Sequence, residues 1–236
     1  MTEERAAGTD ILIRYSVFLI FAAASIIISW FGFDLYDKQF QPAEMRLELK
    51  TGTYLSKPKV LLPINLIDQD EKAFTLNNFR NHWTIMAIGY TSCPDICPTL
   101  MATFRAIDRI LNPEGAQPTA NFLFVSVDPE RDNPKHVGKY VRYYNPRFLG
   151  ATGKDQAALK ELTSQLGLMY ARSADSPTSA MGYLIDHSAS IALINPDAAW
   201  SAVFTPPHDP QTIGEDIQAV MEHYKKLKSV SSTKSN

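Results

Sequence analysis

The chain has 236 residues, 45% of them hydrophobic, which suits one globular domain with a short appendage. A formal charge of −2 leaves no basic footprint for nucleic acid. Only two cysteines are present, which excludes a disulfide-rich secreted scaffold and points to redox or metal chemistry.

The first predicted element is a membrane anchor. An uncharged apolar stretch runs from Tyr15 to Phe33, with Tyr15 and Trp30 near its ends as interfacial aromatics. At ~1.5 Å per residue it nearly crosses a ~30 Å hydrocarbon core. A cleaved signal peptide would have a shorter apolar region of ~7–15 residues followed by small residues. Here Ala22–Ala24 lie mid-stretch, with Ile26–Ile28 after them. Arg5 and Arg14 before the segment and Lys38 and Arg46 after it barely decide its orientation. A short tail inside and the large domain outside is the usual arrangement for one early span.

A polar linker follows, and then the elements of a domain. Leu61–Thr75 reads as two short strands around Asp68–Glu71, and Trp83–Gly89 as a buried strand. The cysteine segment leads into a helix over Thr99–Leu111, and Asn121–Val127 is a second buried strand. Asn133-Pro134 gives an N-cap and a proline at the first helical position, for a helix to about Tyr144. Lys154–Leu166 is another helix, closed by Gly167. Ser190–Ile194 and Trp200–Phe204 form a hairpin around Asn195-Pro196-Asp197. Asp209-Pro210 opens a last helix, with Ile213, Ile217, Val220, Met221, Tyr224 and Leu227 at core spacing. This order predicts a mixed sheet with helices on both faces, which a thioredoxin-like α/β fold satisfies. The expected divisions are a tail over 1–14, the anchor over 15–33, a linker over 34–56, the domain over 57–228 and a disordered tail over 229–236.

Tyr90-Thr-Ser-Cys93-Pro-Asp-Ile-Cys97-Pro lies between a buried strand and a helix. Backbone donors and the dipole at a helix N-terminus favour thiolate, which is both nucleophile and metal ligand. Residues at i and i+4 share a helical face, so the pair can close as a disulfide or grip a soft cation. A thioredoxin-type redox site has one fewer intervening residue, so this spacing favours metal. Two soft thiolates select Cu(I), zinc or iron–sulfur chemistry. Structural zinc wants four ligands, whereas copper is satisfied with fewer, above all with an imidazole added.

Of five histidines, His136 and His223 read as solvated helix residues and His82 as a turn residue. His187 directly precedes the strand over Ser190–Ile194, where a thioredoxin-like fold faces the cysteine helix. It is the leading third ligand, and a structural role is the alternative. His208, opening the last helix, is the runner-up. Met101 offers a soft sulfur but suits core filling.

Three motifs occur in order: Thr91-Ser-Cys-Pro-Asp-Ile-Cys-Pro-Thr99, Asp128-Pro-Glu-Arg-Asp-Asn-Pro134 and Asp186-His-Ser-Ala189. Together they resemble the Sco/SenC family of copper chaperones for cytochrome c oxidase, over roughly Lys57 to Lys228. The resemblance implies a thioredoxin-like fold behind an N-terminal transmembrane helix, and copper held by Cys93, Cys97 and His187. It implies support of the copper loop or partner recognition for Asp128, with a loop cap as the alternative. It implies a single-pass inner-membrane protein whose domain is periplasmic or faces the intermembrane space. Implied partners are the copper-centre subunit of cytochrome c oxidase and other copper chaperones or thiol reductases. Rival functions are a thiol-disulfide oxidoreductase using Cys93 and Cys97, and a copper or redox sensor. A peroxidase is disfavoured, because neither cysteine has the Pro-x-x-x-Thr/Ser-x-x-Cys pattern. Three turns depart from the family: Glu71, Asn81 and Ala198-Ala199 stand where glycine is common.

Overall fold

The computed structural model describes residues 22–34, 47–113, 118–174 and 182–233. The chain divides into two units, residues 1–46 and 47–236. In the first, residues 22–34 form a helix, α1, with Ile26, Ile27, Ile28, Trp30, Phe31 and Phe33 all exposed. No helix among the described residues is long and apolar enough to cross a membrane. The expected span began at Tyr15, and its residues 15–21 lie outside the described residues, as do the tail over 1–14 and linker residues 35–46.

The second unit is built on an eight-stranded mixed sheet. Its strands are β1 (Gly52–Val60), β2 (Asn65–Asp68), β3 (Ala73–Thr75), β4 (Trp83–Gly89), β5 (Ala120–Ser126), β6 (Leu149–Gly153), β9 (Ile191–Ile194) and β10 (Ala199–Phe204). Their spatial order is β1-β10-β9-β4-β5-β6-β2-β3. Two further strands, β7 (Tyr170–Arg172) and β8 (Ile185–His187), form a separate ribbon. The helices are α2 (Ile96–Leu111), α3 (Pro134–Tyr144), α4 (Gln156–Gln165) and α5 (Pro210–Thr233).

β4 lies at the centre, parallel to β5 and antiparallel to β9. Every residue of β4 is buried. That explains its unbroken apolar run: both faces of the strand are covered, so alternation has no purpose. The β4-α2-β5 and β5-α3-β6 crossovers step the same way along the sheet. Right-handed connections therefore place α2 and α3 on one face. The glycines of β6 locate α4. A Cβ at Gly150 would stand 2.7 Å from Val137 of α3, and one at Gly153 would stand 2.6 Å from Leu159 of α4. Positions an odd number apart on a strand face opposite ways, so α4 covers the other face. Gly214 of α5 lies so close to α2 that a Cβ there would stand 2.9 Å from Ile110.

Local chemistry sets the helix starts. Asn133 accepts from the His136 N–H at 2.9 Å ahead of Pro134, and Asp155 accepts from Ala158 N–H at 2.9 Å. Asp209 accepts from Thr212 N–H at 2.8 Å ahead of Pro210. Each satisfies a donor that the helix itself leaves unpaired.

Several expectations are corrected. α2 starts at Ile96 rather than Thr99, which brings Cys97 into its first turn. Pro98 fits there because the first-turn N–H groups have no intrahelical acceptor to lose. The domain begins before Lys57, since β1 pairs with β10 from Gly52. α5 continues past Lys228 to Thr233, where a disordered tail was expected. No glycine or proline follows Gly214 to stop it. β6, β7 and β8 were not foreseen. β6 reads Leu-Gly-Ala-Thr-Gly, with little intrinsic strand preference; it is a strand because β5 and β2 flank it.

The three turns in which glycine was expected carry the only positive φ angles of non-glycine residues among those described. They are Glu71 at 64°, Asn81 at 65° and Ala198 at 58°. The turns keep a left-handed shape although glycine, the residue that adopts it without strain, is missing.

Candidate metal centre

Cys93 sits in the turn after β4, and Cys97 in the first turn of α2. Both are free thiols and both are buried. The Cys97 N–H donates to Cys93 Sγ at 3.4 Å, so an unpaired helix-start donor is spent on a sulfur. Gly89, the last residue of β4, makes room for the second sulfur. A Cβ there would lie 2.5 Å from Cys97 Sγ.

The two thiols differ sharply. The hydrogen bond from the Cys97 thiol holds Cys93 far below the ordinary thiol range. The Cys97 N–H adds to that effect, while burial opposes it. The same hydrogen bond to Cys93, together with burial, pushes Cys97 up. The two opposite shifts favour a metal-free reduced state in which the close pair holds a single proton.

Asp132 fixes the loop that carries Cys93. It accepts from Thr91 N–H at 2.8 Å, from the Thr91 hydroxyl at 2.5 Å and from the Ser126 hydroxyl at 2.6 Å. The carboxylate is fully buried and tied into a network, the arrangement that makes a buried charge tolerable. Sequence reasoning missed this residue. Its signal was present, as the second aspartate of the Asp128–Pro134 motif.

His187 is the last residue of β8 and pairs with Tyr170 across the small ribbon. It is half-buried. Its Nε2 lies 3.3 Å from Cys97 Sγ, and its Nδ1 lies 3.1 Å from the Ser188 carbonyl. A proton on Nδ1 donates to that carbonyl and leaves the Nε2 lone pair aimed at the sulfurs, the usual posture of a metal-ligating imidazole. The donor atoms of Cys93, Cys97 and His187 all lie within 4.8 Å of one another. Two thiolates and one imidazole make a soft donor set for which a d¹⁰ or borderline-soft ion is suited.

The remaining candidates lie elsewhere. His208 Nε2 is 2.7 Å from the Ala189 carbonyl. His223 was expected in solvent but is 7% exposed, with its ring edge-on to Tyr54 at 5.3 Å. Its place on the core side of α5 decides that. Met101 is buried in the hydrophobic core. Asp128 is buried and holds two side chains rather than a sulfur. It accepts from the Tyr183 hydroxyl at 2.6 Å and from Arg131.

Known proteins share the sequence pattern and the fold. The SCO1/SenC family profile matches residues 53–222. The mitochondrial SCO1 homolog 1 of Arabidopsis thaliana is 28% identical over 228 residues, covering 94% of this chain and 66% of that longer one. An SCO2-like protein of Rickettsia prowazekii is 33% identical over 151 residues, covering 64% of this chain and 72% of its own. Among solved structures, Arabidopsis thaliana ScoI with copper bound superposes with a TM-score of 0.64 at 28% identity, covering 70% of this chain and 99% of that one. Bradyrhizobium japonicum ScoI with copper bound gives 0.58 at 29% identity, covering 67% and 98%. With a fold of this mixed α/β thioredoxin-like kind and a family match across most of its length, the chain belongs to the SCO1/SenC family.

Proposed function

We propose that this protein binds one copper ion through Cys93, Cys97 and His187 and passes it to, or prepares, the dinuclear copper centre of cytochrome c oxidase. The observation that carries the reading is the convergence of two thiols and one imidazole from distant parts of the chain. Relatives of the same fold, solved with copper bound, support it.

The chemistry follows from the residues. Cys93 offers a thiolate, and Cys97 gives up its proton when the metal enters. Nδ1 of His187 is held by the Ser188 carbonyl, which keeps Nε2 in the ligating tautomer. Three ligands leave copper open to a fourth. His187 is the more accessible of the three, and it borders an open groove of about 970 Å³ with Leu168, Met169 and Tyr170. An incoming ligand from a partner approaches on that side, before these ligands leave. Loss of two electrons to a thiol oxidant, with release of the one proton the pair holds, would join the sulfurs as a disulfide and remove the grip. Copper loading is thereby tied to thiol state.

The N-terminal stretch over 15–33 is proposed as the anchor. The described part, α1, is uncharged up to Asp34 and exposes large apolar side chains, as a membrane-embedded helix does. The domain would then face the periplasm or the intermembrane space, in keeping with the bacterial and mitochondrial relatives.

The test is copper per chain, and the thiolate-to-copper absorption band after Cu(II) addition, in Cys93→Ala, Cys97→Ala and His187→Ala. All three are expected to lose tight binding. Unchanged binding in all three would discard the site. A thiol-disulfide reductase is the second reading, favoured by the lowered pKa of Cys93. It needs the cysteines alone, so full oxidase assembly with His187→Ala would select it.

A further inference from the structure

The site is assembled from two pieces with separate supports. The cysteines ride on the β4–α2 connection. His187 rides on the β7–β8 ribbon, which has three residue pairs and is not hydrogen-bonded into the main sheet. A two-stranded ribbon this short is marginal by itself, so other contacts must fix where the imidazole stands.

One segment touches both pieces. At one end of the loop after β5, Asp132 binds Thr91 beside Cys93. From the same loop, Asp128 and Arg131 grip Tyr183, just upstream of β8. The Tyr183 hydroxyl donates to Asp128 Oδ1 at 2.6 Å, and Arg131 Nη1 donates to the Tyr183 carbonyl at 2.8 Å. Arg131 also pairs with Asp128 through Nε. Its guanidinium lies 3.8 Å from the centre of the Tyr183 ring and 5.4 Å from that of Tyr90. Tyr90 in turn stands edge-on to the His187 ring, 6.0 Å between centroids. On the outer side Arg172 of β7 stacks on Tyr183 at 3.9 Å and pairs with Glu130. Both strands of the ribbon are thus tied to the loop over 128–132.

We propose that Asp128, Arg131 and Tyr183 are positioning residues that set the His187 imidazole over the two sulfurs, the loop over 128–132 acting as a common gauge for both halves of the metal site. The inference rests on the ligand set proposed above. Charge-assisted hydrogen bonds to a buried carboxylate and a stacked guanidinium are directional, so they fix an angle as well as a distance. Elements behind the ligands commonly hold about tenfold to a hundredfold of metal affinity.

The test is a double-mutant cycle on Cu(I) affinity, measured by competition with a chromophoric chelator. Tyr183→Phe removes the hydroxyl and keeps the ring. It is expected to weaken Cu(I) binding about tenfold in the native background and to have no effect in His187→Ala. Nuclear magnetic resonance of the metal-free reduced protein gives an independent readout. The His187 ring signals are expected to shift in Tyr183→Phe while the cysteine signals stay. An equal loss in both backgrounds, or none in either, overturns the proposal. If His187→Ala alone leaves the affinity unchanged, the ligand assignment fails first and takes this inference with it. Arg131→Lys keeps the charge facing Asp128 but loses the fork to the Tyr183 carbonyl. Its cycle is expected to give the same result, and it replaces Tyr183→Phe should that variant fold poorly.

Discussion

Cys97 Sγ and His187 Nε2 stand 3.3 Å apart across 90 residues of sequence. Neither residue is in the same sheet as the other's support. Their meeting is a product of the loop over 128–132, the ribbon and the space left beside β4.

Asp132→Ala removes the acceptor of three hydrogen bonds in the interior. It leaves the Thr91 N–H and two hydroxyls unsatisfied. The expected cost is about 3 kcal/mol, read as a lower urea midpoint at unchanged slope. Copper affinity falls as well, since the Cys93 loop loses its clamp. A midpoint equal to that of the parent would show that Asp132 does not hold the loop.

Gly89→Ala places a methyl 2.5 Å from Cys97 Sγ and 2.8 Å from the Phe124 ring. Neither neighbour is a flexible side-chain tip in open space. Overpacking of this kind costs about 1–3 kcal/mol. The sulfur is the atom expected to move, so the thiolate-to-copper band should shift in energy or weaken. An unaltered spectrum in a stably folded variant would contradict the close approach.

Glu71→Gly relieves a left-handed backbone at an exposed turn. Its ion pair with Lys135, 3.5 Å long and largely solvated, contributes little. Relief of roughly 1–2 kcal/mol of left-handed strain is offset by the extra freedom of glycine in the unfolded chain. The net expectation is a gain of about 0.5 kcal/mol by urea denaturation. A measurable loss would show that the side chain does more than the backbone suggests.

In the reduced metal-free protein one thiolate per chain should persist well into acid. Cys93 is an acid whose pKa is lowered by the Cys97 thiol, so it is ionised below the ordinary thiol pKa of ~8.5 and protonates only as pH falls through its lower value. Cys97 moves the other way and keeps its proton above that pKa. Ultraviolet thiolate absorbance against pH should therefore show two widely separated steps. In Cys97→Ala the Cys93 step should return toward the ordinary value. Two thiols titrating together would refute the shared proton.

The anchor proposal is checked with phospholipid vesicles. The full chain should float with them through a density gradient, and a chain starting at Leu47 should stay behind with its copper binding intact. Flotation of the shorter chain, or none by the full one, would remove the assignment.

Much of this was legible in residue order. The apolar run Trp83–Gly89 is β4 to the residue, because a strand buried on both faces writes its burial into every position. Asn133-Pro134 and Asp209-Pro210 marked two helix starts, since capping is local chemistry. The cysteines were legible as ligand candidates by spacing, while position made His187 only the leading histidine and the family resemblance selected it. The sequence by itself therefore determined which groups could hold a soft metal.

What it could not determine was how they are held. β6 is a strand through its neighbours, and His223 is buried through the packing of α5. The opposite pKa shifts of Cys93 and Cys97 depend on a closeness of the two side chains that no spacing fixes. Asp132 under one half of the site, and the Asp128–Tyr183 contact under the other, join residues far apart in sequence. Such contacts exist only once the sheet has closed around β4, and for that reason the tertiary structure alone decided the geometry of the site.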